Sequence, residues 1–345
     1  MSSSLDLIGK GLLPFMGGMR RFIPFLLNAA QEVVPMRQWP DWSFHDMTCG
    51  SCAGSATFAF YGMSITANDL ALRSIIPANA LFYGQASSGA LISKVISNPA
   101  KLPQGLKPAV ELAEGKLHPI ACDIFDRLYY ASSSEPLNMK QKLFFEYLAI
   151  RWVLLNKNYM YFLKLPTLDL DQLAIQSPTW KKTVDMLRDP LPALLKVREE
   201  IMDLSVALQS ANPQRLPFII QDDCRESIKH ILWDRPSFVN LNPPTDGNAR
   251  FMQSNRMLDA LLYNEPQPQK DGMMPGDLWR SLILDTCKHI PTGHYVFSFV
   301  GDGAVSWEEG CSEVFSKVGP IIKEWSFPWH GSETRKAGLV LMRKA

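Results

Sequence analysis

The stretch Phe44-His45-Asp46-Met47-Thr48-Cys49-Gly50-Ser51-Cys52-Ala53-Gly54-Ser55, continued by Ala56-Thr57-Phe58-Ala59-Phe60 and then by Met63-Ser64-Ile65-Thr66-Ala67-Asn68-Asp69, decides the fold. It reads as a strand, a tight turn of small side chains, a short helix and a second strand. Small residues let a ligand lie against the backbone, and the start of the helix offers unpaired N–H groups to a polar or anionic group. Asp69 ends the second strand at the spacing where a nucleotide-binding α/β unit places a carboxylate to accept from two ribose hydroxyls. The unit reads as an adenosine-binding site with Cys49, Gly50, Ser51 and Asp69 at the ligand. A purely structural turn is the competing reading, since strand-turn-helix units of this kind occur in α/β folds of every function.

A second stretch favours the first reading. Ser237-Phe238-Val239-Asn240-Leu241 is an apolar strand that delivers Asn242-Pro243-Pro244-Thr245 at its carboxyl end, which is where ligands bind in an open α/β sheet. Two prolines lack backbone donors and are stiff, so the carboxamide of Asn242 and the carbonyl of Pro243 are held as acceptors. Two fixed acceptors suit an amino group. The bland alternative is a rigid strand end in which Asn242 caps the next turn.

Together these motifs resemble the Dam-type DNA adenine methyltransferases of bacteria and phages. The matching residues are Gly17-Gly18-Met19-Arg20-Arg21, Asp46-Met47-Thr48-Cys49-Gly50, Asn68-Asp69 and Asn242-Pro243-Pro244-Thr245, in the family's order. The resemblance implies a Rossmann-like S-adenosylmethionine (SAM) dependent methyltransferase sheet with helices on both faces and an inserted helical domain. It implies DNA as the partner, with Gly18, Arg20, Asp46, Cys49, Gly50, Ser51, Asp69 and Asp222 at the cofactor and Asn242 to Thr245 at the target base. Two positions depart from the family: Met19 stands where the family has a cofactor-binding lysine, which leaves Arg20 as the nearest cation, and Thr245 cannot stack on a flipped base. A diverged enzyme modifying another base or group, and a binding protein that has lost catalysis, therefore stay open beside the DNA adenine reading.

The match covers residues 1–81 and 216–345, the two parts of the methyltransferase domain, and leaves 82–215 as a helical insert and candidate target-recognition region. Within it Met139 to Phe162 is the most apolar segment, but Glu146, Arg151 and Lys157 interrupt it, so it reads as a core helix and not a membrane span. Thr179 to Gln209 reads as two helices divided at Asp189-Pro190. Beyond 215, Phe218-Ile219-Ile220 is a short strand leading to Asp222, with Asp223 placed to cap the helix that follows. Gly276 to Ile290 and Ser306 to Lys317 read as helices, His294 to Val300 as a strand, and Ile321 to Phe327 with Ala337 to Met342 as a terminal strand pair.

Composition bounds the partners. The chain has 345 residues, 46% hydrophobic and 20% charged, with a net charge of +1, so a nucleic-acid surface has to be a local basic patch and not a global field. Six irregularly spaced cysteines suggest reduced thiols in a cytoplasmic protein. Cys49-x-x-Cys52 has the spacing of a redox pair or of half a metal site, but no second pair exists and it falls inside the cofactor turn, which favours neither. Met1 to Arg21 lacks the apolar run and cleavage site of a signal peptide.

Overall fold

The computed structural model describes residues 2–12, 19–157, 165, 169–176, 178–211, 215–243, 249–266, 276–300, 305–328 and 336–345. Gly17, Gly18, Pro244, Thr245 and the segment 158–162 lie outside the described residues, as does the side chain of Met19. The chain forms two compact units: Met1–Gly17, Ile76–Ala207 and Arg250–Gln269 make one, and Gly18–Ile75, Leu208–Ala249 and Lys270–Ala345 make the other.

The second unit holds a seven-stranded sheet. Its strands are β1 (Ser43–Asp46), β2 (Ser64–Asn68), β3 (Phe218–Ile220), β4 (Ser237–Leu241), β5 (Tyr295–Val300), β6 (Ile321–Pro328) and β7 (Lys336–Arg343), in the spatial order β3-β2-β1-β4-β5-β7-β6. β1 pairs in parallel with β2 on one side and β4 on the other, β3 and β5 extend the parallel run, and β7 is antiparallel to both β5 and β6. This is the Rossmann-like mixed sheet that the resemblance implies. The strand order reverses between β1 and β4, so the carboxyl ends of these strands flank the crevice where such sheets bind ligands.

Successive side chains of a strand face opposite ways, and the register Phe44↔Phe238 and Asp46↔Asn240 sets which residues share a face. Phe44 and Phe238 meet the helix Ala53–Phe60 through Phe58, with the Phe44 and Phe58 rings stacked 4.2 Å apart, and Phe238 continues the stack to Phe297 at 5.5 Å. On the other face Val239, Leu241 and Val296 pack with Ile228, Trp279 and Ile283. His45 lies among these apolar groups, its ring nitrogens 3.1 Å from Thr66 Oγ1 and 3.2 Å from Ser237 Oγ. Burial pulls its pKa down to about 3, so it is a neutral structural histidine.

The first unit is helical. The Met139–Leu155 helix starts on a reciprocal cap in which Asn138 Oδ1 accepts from Gln141 N and Gln141 Oε1 accepts from Asn138 N. It stops short of the expected Phe162, closing on Asn156, whose carboxamide Nδ2 donates to Trp152 O. Arg151, on this helix, donates to Lys10 O and Leu12 O and pairs with Glu200 at 2.5 Å, and Tyr147 Oη donates to Gly11 O. Asn264 bonds the backbone of Lys107 in both directions. These contacts lie within the helical unit and tie residues 10–12 and Asn264 into it. The expected division at Asp189-Pro190 falls between the helices Pro178–Arg188 and Leu191–Ala211. The Ser306 segment opens on a capping box with Glu309 but runs as a π-helix over Gly310–Phe315.

Candidate cofactor and substrate site

Between β1 and the Ala53–Phe60 helix the backbone reverses through two left-handed residues, Gly50 at φ +51° and Cys52 at φ +60°. Glycine adopts this conformation freely, while a side chain there costs roughly 1–2 kcal/mol, so the turn is held by its surroundings. Cys49 N donates to Asn68 O at 2.8 Å, Cys52 N donates to Cys49 O at 2.7 Å, and Gly50 N donates to Asp69 Oδ2 at 2.9 Å. The second oxygen of Asp69 accepts from Ala71 N at 3.0 Å. A carboxylate has about four lone-pair positions. Half-buried Asp69 therefore fixes the turn and keeps acceptor capacity beyond these two bonds.

Asp46, which the resemblance assigns to the cofactor, is bonded on all sides within the protein. It lies beneath the turn, 1% exposed, with Oδ2 accepting from both Ser55 N (3.0 Å) and Ser55 Oγ (2.7 Å) and Oδ1 accepting from Asn240 Nδ2 (2.7 Å). Burial pushes its pKa up to about 6 against the opposing pull of these donors. Gly54 allows the close approach, since a Cβ there would stand 3.1 Å from Asp46 Oδ2 and 3.2 Å from the Phe44 ring. Asp46 thus ties β1, the helix start and β4 together.

Three buried polar atoms around this turn have no hydrogen-bond partner among the described residues: Ser51 Oγ, Asn68 Oδ1 and Asn240 Oδ1. Asn68 spends its two donor hydrogens on Met47 O and Asp222 O, both at 3.0 Å, which aligns the carboxyl ends of β1, β2 and β3. Unsatisfied buried acceptors are costly in a native fold, and their grouping at the carboxyl edge of the sheet fits a polar ligand such as SAM.

Asn242 and Pro243 stand beside the turn. Thr48 Oγ1 accepts from Asn242 N at 2.7 Å, so the first motif positions the second directly. Asn242 is half-buried and Pro243 buried. At β3, Asp222 Oδ1 accepts from Asp223 N, and Asp223 caps the following helix through Arg225 N, as the sequence places it. Arg20, half-buried, sits in the short turn Met19–Phe22, which Phe22 anchors against Phe299 and Phe327. Thr48, Ser55 and Asn240 were not singled out by the motifs. The signal for Asn240 is a polar residue at an inward position of an otherwise apolar strand.

Among the described residues no three metal-ligating side chains cluster, and no helix is long and apolar enough to cross a membrane. Compared with known families and curated proteins, the chain matches none. Among solved structures it is similar to the rRNA methyltransferase AviRa of Streptomyces viridochromogenes, at 10% identity and TM-score 0.41 over 96% of this chain and 86% of that one. It is also similar to a putative class I SAM-dependent methyltransferase of Listeria monocytogenes, at 13% identity and TM-score 0.24 over 74% and 88%. Likeness at this level decides nothing about activity, and the strand order and directions stand on their own.

Proposed function

We propose that the protein is a SAM-dependent methyltransferase acting on an exocyclic amine of a nucleic-acid base. The observation that supports this reading is the bond from Asn242 N to Thr48 Oγ1, which brings Asn242-Pro243 beside the small-residue turn at the switch point of the sheet. When bound, SAM supplies an electrophilic methyl group. Asp69 would accept from its ribose hydroxyls, and Gly50, Ser51 and Asn68 would line its polar portion. Asn242 Oδ1 and the Pro243 carbonyl would accept the two amino hydrogens of the target, which turns the nitrogen lone pair toward the donor. Alignment of the reacting atoms and preorganised acceptors do most of the work in such a transfer.

Within this reading, N6 of adenine in DNA is the target that the motif order favours. The departure at Thr245 favours another base or a different way of holding it. Incubation with SAM carrying a labelled methyl group and with duplex DNA, single-stranded DNA, RNA or protein separates these targets. Label entering none of them, with calorimetry showing no SAM binding, overturns the enzyme reading.

A further inference from the structure

Resting on that assignment of the cofactor turn, we propose that Cys49 and Cys52 form a reversible disulfide that weakens cofactor binding. The two sulfurs are 3.6 Å apart, and Cys52 N donates to Cys49 O, closing a four-residue turn. Such a turn brings its end Cα atoms within roughly 7 Å, inside or near the span that a disulfide bridges. All six cysteines are free thiols, and the other four, Cys122, Cys224, Cys287 and Cys311, lie outside the turn.

An S–S bond of about 2.05 Å requires the sulfurs to move roughly 1.5 Å closer. The outer anchors of the turn oppose this movement, because Cys49 N is bonded to Asn68 O and Gly50 N to Asp69 Oδ2. The residues between the sulfurs, Gly50 and Ser51, are the ones assigned to the ligand. Contraction therefore redirects the Gly50 N–H and the Ser51 hydroxyl and disturbs the Asp69 carboxylate. Cys49 is 5% exposed and Cys52 is fully buried, and the hydrogen bond between their thiols, followed by burial, holds the Cys49 thiol well above its ordinary range. Oxidation is consequently slow at neutral pH and faster as pH rises.

The oxidant is a hydroperoxide. One sulfur attacks a peroxide oxygen, the O–O bond breaks, and a sulfenic acid and water result. The second sulfur then attacks the sulfenic sulfur and expels hydroxide, which leaves as water with the second thiol's proton. Two thiols are oxidised to one disulfide while one hydrogen peroxide is reduced to two waters.

The test uses the full chain, reduced with dithiothreitol or treated with hydrogen peroxide. Peptide mass mapping reports the loss of two hydrogens between Cys49 and Cys52, and calorimetry reports SAM affinity for each form. The expected result is a roughly tenfold weaker affinity after oxidation, restored by dithiothreitol, with no peroxide response in Cys49→Ser or Cys52→Ala. Reciprocity then requires saturating SAM to raise the dithiol potential by about 30 mV, the same tenfold factor in a two-electron couple. No Cys49–Cys52 disulfide in the folded protein, or a mapped disulfide with unchanged affinity, overturns the proposal. Absence of binding in the reduced arm instead removes the cofactor assignment, and the switch with it, before peroxide is added.

Discussion

Arg151 in the helical unit and Asp46 in the sheet unit are both buried charges, 7% and 1% exposed, and they differ in what surrounds them. Arg151 joins segments distant in sequence, binding two backbone carbonyls and Glu200. Asp46 is equally well bonded, yet Ser51, Asn68 and Asn240 around it keep buried oxygens without partners among the described residues. A structural charge cluster is expected to close on itself, because each unpaired buried group costs about 1–3 kcal/mol. The helical unit also has open buried acceptors, at Ser87 Oγ and Asn156 Oδ1, so it is the grouping of three at the carboxyl edge of the sheet that fits a ligand there. Burial of a charge alone would not have told the two places apart.

The largest expected effect lies on the structural side. Arg151→Ala leaves Glu200 and two carbonyls without their donor, and should lower unfolding free energy by about 3–5 kcal/mol. Urea denaturation measures this, and SAM affinity of the folded fraction should be unchanged; a loss of affinity equal to the loss of stability would erase the contrast between the two places.

Asp46 comes next, through pH. Its carboxyl moves from an ordinary 3.8 to about 6 in the folded protein. Between these values the folded state holds more protons than the unfolded state, so stability is full below about pH 4 and falls as pH climbs through 6. The total change is about 3 kcal/mol at one pKa unit per 1.36 kcal/mol. Subtracting the stability curve of Asp46→Asn from that of the wild type isolates the effect, and a flat difference from pH 4 to 7 refutes it.

Asn242→Ala tests the substrate side of the crevice. Methyl transfer should fall about a hundredfold, near 2.7 kcal/mol of barrier, with SAM affinity nearly intact. If Asn242 only shapes the strand end, melting temperature drops instead and the rate per folded molecule survives. Asp69→Ala has the smallest expected effect, a loss of roughly 1.5–3 kcal/mol in SAM affinity. Because Asp69 also holds Gly50 N and Ala71 N, the mutant's stability has to be measured alongside. Unchanged calorimetric affinity would leave Asp69 as a brace for the turn and nothing more.

The sequence by itself determined the parts whose physics is local. Apolar runs placed β1, β2, β4, β5 and the β6–β7 pair close to their observed bounds, and the small residues from Gly50 to Gly54 marked the strand-to-helix turn. The positions of Asp69 and Asn242 just past the ends of β2 and β4 were legible too. Only the tertiary structure decided what joins them. The pairing of β1 with β4, 194 residues apart at Asp46 and Asn240, follows from a register no local pattern encodes. That register buries Asp46 under the turn, gives Thr48 the N–H of Asn242 and leaves the oxygens of Ser51 and Asn68 open. Periodicity reports which way a residue faces along its own strand; which group waits opposite it depends on the folded chain.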